Sequence, residues 1–156
     1  MMTKKTASVM IFFVSLLLSG LSLAQEDQVI VIEDLSKAEL RKEIVLIEQE
    51  VYQMFNSNME NEDFHIACQD VVPTGSHRPV RSCEPKFFIA ARGNNANDSR
   101  LFNQVLLTDV QLKSNYASEF QTLTEAMEKL AKDDPSFAQL VMILNKLNAR
   151  LAQISR

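Results

Sequence analysis

Four side chains in one short stretch could hold a metal ion: His65, Cys68, His77 and Cys83. Their atoms are those zinc takes, two imidazole nitrogens and two thiolates. The same cysteines could instead form a disulfide. Two observations favour the disulfide. The chain opens with an export signal, and exported thiols are normally oxidised. His65 and Cys68 are also an odd number of residues apart, so in a strand they point to opposite faces. No metal site is therefore expected. Ser76 and His77 are neighbours, which is not the geometry of a nucleophile and its base. A C-x-x-C pair for disulfide exchange, a Walker loop, a Gly-rich dinucleotide loop and an H-E-x-x-H motif are all missing from the sequence. The chain is expected to be non-catalytic and to need no cofactor.

The segment between the cysteines, "CQDVVPTGSHRPVRSC", offers a recognition loop instead. Thr74, Gly75 and Ser76 supply hydroxyls and main-chain N–H groups. His77, Arg78 and Arg81 add positive charge to a chain of net charge -4. An anion or an acidic partner suits such a tip. An acidic chain without a basic stripe is a poor ligand for nucleic acid or an anionic membrane.

The elements that must position this loop are legible in turn. Residues 1–24 read as a cleavable signal peptide. Lys4 and Lys5 precede an apolar run, and Ser22 and Ala24 occupy the −3 and −1 positions of a cut before Gln25. Loss of the two lysines deepens the negative charge, and no stable membrane anchor is expected after processing. The remaining chain suits one domain with one modest core. Residues 25–35, which include "QVIVI", read as an extended lead-in. A first helix is expected over 36–58. Ser36 and Glu39 form a capping box, with Leu35 and Leu40 as its hydrophobic staple. Leu40, Ile44, Ile47, Val51 and Met54 form one apolar stripe.

A β-hairpin is expected over 64–88. If Cys68 lies opposite Cys83, then Asp70 faces Arg81, Val71 faces Val80 and Phe64 faces Phe87, all stabilising cross-strand pairs. Closing that loop stabilises the fold by roughly 3 kcal/mol on the chain-entropy account. Residues 91–100, "ARGNNANDSR", read as a loop by composition. Helices are expected over 101–132 and 135–155. The first carries the stripe Leu112, Tyr116, Phe120, Leu123, Met127 and Leu130. In the second, Phe137, Leu140, Leu144, Leu147, Leu151 and Ile154 keep heptad spacing. Asp134 is its cap and Pro135 its first residue. The short connection at Asp133–Ser136 favours an antiparallel helical hairpin with coiled-coil-like seams. The fold class is mainly α with a small disulfide-tied β-hairpin.

The pattern C…TGS…R-x-C-x-P, read from Cys68 through Thr74, Gly75, Ser76, Arg81, Cys83 and Pro85, resembles a family of small exported proteins of Gram-negative bacteria with no assigned function. "YQMFNSNMENEDFHIAC" is similar to that family's helix end and acidic lead-in. The resemblance spans about Val51 to Phe88. It implies a periplasmic or secreted protein with one cysteine pair and no catalytic residues. His77 departs from it, since arginine is expected after the serine. Separately, "LTDVQ" (Leu107 to Gln111) resembles the L-T-x-x-Q signature of small helical periplasmic stress chaperones. The sequence thus points to an accessory or interaction protein with an unknown protein partner in the cell envelope. A holdase chaperone is the alternative.

Overall fold

The computed structural model describes residues 31–73, 75–102 and 104–155. The expected signal peptide, residues 25–30 of the lead-in, and Thr74 lie outside the described residues. A 3-10 turn over Ile32–Asp34 leads into α1 (Lys37–Asn58). A second turn over Glu62–Phe64 precedes strands β1 (Ile66–Val71) and β2 (Val80–Pro85). Four helices follow: α2 (Lys86–Phe102), α3 (Asp109–Asn115), α4 (Ala117–Asp133) and α5 (Pro135–Ile154). Among the described residues the protein is mainly helical, with one two-stranded antiparallel sheet.

The start of α1 follows its local code. The Ser36 hydroxyl accepts from the Glu39 N–H at 3.4 Å, and the Glu39 carboxylate accepts from the Ser36 N–H at 2.8 Å. Hydrogen bonding to its carboxylate by Ser36, from the hydroxyl first and then the main-chain N–H, holds the Glu39 carboxyl below the ordinary glutamate range. Leu35 and Leu40 meet in one apolar cluster, as the staple requires. At the other end of the chain, Asp134 Oδ1 accepts from the N–H groups of Ser136 and Phe137, at 2.8 and 3.3 Å, and Pro135 opens α5.

The heptad seam of α5 is shared between two partners. Phe137, Leu140 and Leu144 pack into a core with Val51 and Phe55 of α1, Ile66 of β1 and Leu123 of α4. Leu147, Leu151 and Ile154 continue against Leu40 and Ile44 at the start of α1. The C-terminal helices therefore do pack together, but α1 runs antiparallel along the whole of α5. Arg150 Nη2 reinforces the far end by donating to the Glu33 carbonyl at 2.9 Å.

Two expected boundaries change. Residues 91–100 are not a loop; they are the body of α2. Phe88 and Ala91 are buried on one face of that helix against Leu112 of α3. Burial of that face outweighs the loop-like propensity of its asparagines, a common outcome when tertiary packing is available. The expected single helix over 101–132 is divided. Residues 104–108 have no regular secondary structure, Thr108 caps α3 in a box with Gln111, and Tyr116 separates α3 from α4. The apolar stripe survives this division. Leu112 and Tyr116 serve the α2–α3 cluster, Leu123, Met127 and Leu130 serve the main core, and Phe120 belongs to both. The Phe120 ring lies 5.1 Å from Phe87 and 5.2 Å from Phe88, both edge-on.

This packing separates two phenylalanines of α2 sharply. Phe88 is fully buried and Phe102 is 68% exposed. Phe88→Ala should cost about 3–5 kcal/mol in urea unfolding. Phe102→Ala should stay within about 0.5 kcal/mol of the parent.

Candidate functional site

The hairpin register is the one expected from the cysteines. Cys68 pairs with Cys83, Asp70 with Arg81 and Val71 with Val80. The two cysteines form a disulfide with a Cα separation of 4.0 Å. The ladder is shorter than the expected span of 64–88. Phe64 lies in the preceding turn and Phe87 in α2, yet their rings still meet at 5.4 Å. The disulfide occupies both sulfurs of the zinc alternative. His65 Nε2 is hydrogen-bonded to the Met59 carbonyl at 2.9 Å. Among the described residues no cluster of His, Cys, Asp and Glu could hold a metal ion.

The hairpin is fixed to α1 at its base by one asparagine. The Asn56 carboxamide accepts from the Ile66 N–H at 2.8 Å and donates to the Ile66 carbonyl at 2.9 Å. Ile66 itself is buried beside Val51 and Phe55. Further along, Arg81 latches the strand pair to the same helix. Its Nη1 lies 3.3 Å from Glu48 Oε2 and 3.4 Å from the Val45 carbonyl, and its Nη2 lies 3.3 Å from Cys68 Sγ. Asp70 faces Arg81 in register, but the ion pair goes to Glu48.

The expected recognition loop is therefore divided. Arg81 is withdrawn, with its side chain only 25% exposed. Sequence spacing could not find its partner, because Glu48 lies on a different element. At the tip, Gly75 adopts φ +81, where a side chain would be strained. The Ser76 N–H donates to the Pro73 carbonyl at 2.9 Å, and the Ser76 hydroxyl accepts from the Arg78 N–H at 3.1 Å. These bonds shape the turn, so Ser76 is committed locally. His77 and Arg78 are exposed. The tip thus presents one imidazole and one guanidinium on a closed turn.

A cavity of about 630 Å³ opens between α1 and β1. Gln49, Tyr52, Gln53, His65, Cys68 and Arg81 contribute to its lining. Burial, then the Glu48 charge, raises the Tyr52 phenol above its ordinary value, and Arg81 opposes that rise. Sequence reading missed this cavity. Tyr52 and Gln49 sit on a helix face that looks merely polar, and only the hairpin laid across it makes a concavity.

Comparison with protein-family models, with curated proteins and with solved structures gave no match to this chain.

Removal of the Asn56 side chain strands a backbone donor and acceptor at Ile66. Asn56→Ala should lose about 1–3 kcal/mol in chemical denaturation, more than an exposed helix substitution. The Tyr52 phenol gives a second readout. A raised folded pKa means its contribution to stability is present below the ordinary phenol range and is lost as pH rises through the folded value. Arg81→Met should move the phenolate absorbance of Tyr52 to still higher pH, read in a Tyr116→Phe background so that one tyrosine reports. A downward shift contradicts the placement of Arg81.

Proposed function

We propose that this is an exported, non-catalytic interaction protein of the cell envelope that offers its hairpin tip to an acidic partner. One arrangement carries the reading. The base of the hairpin is held by the disulfide, by Asn56 and by the Arg81–Glu48 pair, while His77 and Arg78 stand exposed at a closed turn. A rigid support beneath an exposed cationic tip lowers the ordering cost of binding. The signal peptide expected from the sequence and the Cys68–Cys83 disulfide support an envelope or extracellular location.

The exposed apolar run favours the second reading, a holdase. Leu101, Phe102, Val105, Leu106 and Val110 are each more than half exposed across the α2–α3 connection. Exposed apolar side chains close together in sequence are a place where unfolded clients can adhere.

The two readings separate by substitution. A photoreactive residue at position 77 should crosslink one or a few defined envelope proteins in cells. Arg78→Glu should abolish those adducts without changing the melting temperature. Leu106→Ser with Val110→Ser should leave them unchanged. A holdase predicts the reverse. Near-stoichiometric protein then suppresses aggregation of a reduced client, Leu106→Ser with Val110→Ser removes that suppression, and Arg78→Glu does not.

A further inference from the structure

The two edges of the hairpin are unequal. The Lys86 N–H donates to the His65 carbonyl at 2.9 Å, which makes 65 and 86 a hydrogen-bonded pair. Alternation along an antiparallel ladder then sets the rest. Residues 67, 69 and 71 bond across to β2, and Ile66, Cys68 and Asp70 turn their N–H and C=O groups outward. The short Cα separation of Cys68 and Cys83 agrees, since non-bonded pairs are the closer ones.

The outward groups of β2 are blunted. Pro85 has no N–H to offer, and Pro79 stands directly before the strand. β1 carries no proline, lysine or glycine. At its first outward residue, Ile66, the Asn56 carboxamide occupies the N–H and the carbonyl together. That is the bonding a neighbouring strand would supply. Two residues further on, the main chain of Cys68 is unoccupied among the described residues and borders the cavity beside α1.

We propose that the outward edge of β1 is a binding site for an extended peptide segment of a partner protein, which adds as a third strand beyond Asn56. Main-chain bonds at Cys68 and Asp70 hold the segment, the usual basis of strand addition. Gln49 and Gln53 line the opposite wall and suit polar side chains. Arg81 and His65 line the cavity, and the Asp70 carboxylate stands at the end nearer the tip, so an acidic residue in the segment is complementary at the His65 end. Glu48 holds one nitrogen of Arg81 from outside that lining, and Nη2 remains on the cavity side at Cys68. The site is separate from the hairpin tip and does not depend on the tip binding anything.

The test uses the oxidised full-length mature protein and a displayed library of linear peptides of about ten residues. Selection should enrich sequences bearing Asp or Glu. Asp70→Pro removes an outward N–H while leaving the β1–β2 ladder intact, and should weaken the selected peptides at least about tenfold. Asp70→Asn keeps that N–H and should bind them as the parent does. Arg78→Glu, at the tip, should have no effect. In the parent, peptide addition should slow hydrogen exchange at the Cys68 and Asp70 amides. That measurement decides the matter even if Asp70→Pro fails to fold. Unchanged exchange at both amides, or a library that yields no binder, overturns the proposal. So does concentration-dependent dimerisation that Asp70→Pro abolishes, which assigns the edge to a second copy.

Discussion

Placement of the hairpin starts from the contact between Asn56 and Ile66. Asn56 gives Ile66 both of its outward hydrogen bonds, and in doing so brings a strand against the C-terminal half of a helix. The disulfide cannot do this. It joins β1 to β2 and restricts the unfolded chain, but carries no information about where the pair sits. Once Ile66 is docked, its side chain completes a core with Val51, Phe55, Leu123 and Phe137. Arg81 then falls within reach of Glu48. The orientation of the tip and the concavity beneath β1 both depend on that contact.

The same device occurs a second time. Asn95 of α2 accepts from the Leu107 N–H at 3.0 Å and donates to its carbonyl at 2.9 Å. Here too a helical carboxamide captures a segment outside its helix and satisfies main-chain groups that lack a ladder. Arg92 strengthens the arrangement, since it pairs with Glu84 of β2 and lies 3.8 Å from Asp109. It also lies 5.3 Å from the centre of the Phe88 ring. Phe120 then links this outlying cluster to the main core through edge-on contacts.

These two asparagines mark the limit of what the sequence discloses. Caps, staples and heptad seams are local codes, so the start of α1, the start of α5 and the hairpin register are legible from spacing alone. Composition misleads at 91–100. Asparagine is read as a loop residue because its carboxamide competes for nearby main chain. In α2 that carboxamide bonds a distant segment instead, and the helix remains intact. The candidate site is legible to the same extent. The cysteine pairing and the exposed tip can be deduced, but the loss of Arg81 to Glu48 cannot, because it joins residues 33 apart in sequence.

Withdrawal of Arg81 changes the balance between the two surfaces of the hairpin. A tip bearing two guanidinium groups beside an imidazole could hold an anion by charge alone. With only His77 and Arg78 left exposed, the attraction is weaker and more easily screened by salt. The charge removed from the tip lies instead beside Cys68, paired with Glu48. Directional main-chain bonds and one partly shielded cation now occupy the same few ångströms. A partner would be better discriminated there than at the tip, because main-chain bonds are directional and a segment out of register forfeits them, whereas a wrong partner at an exposed turn loses little.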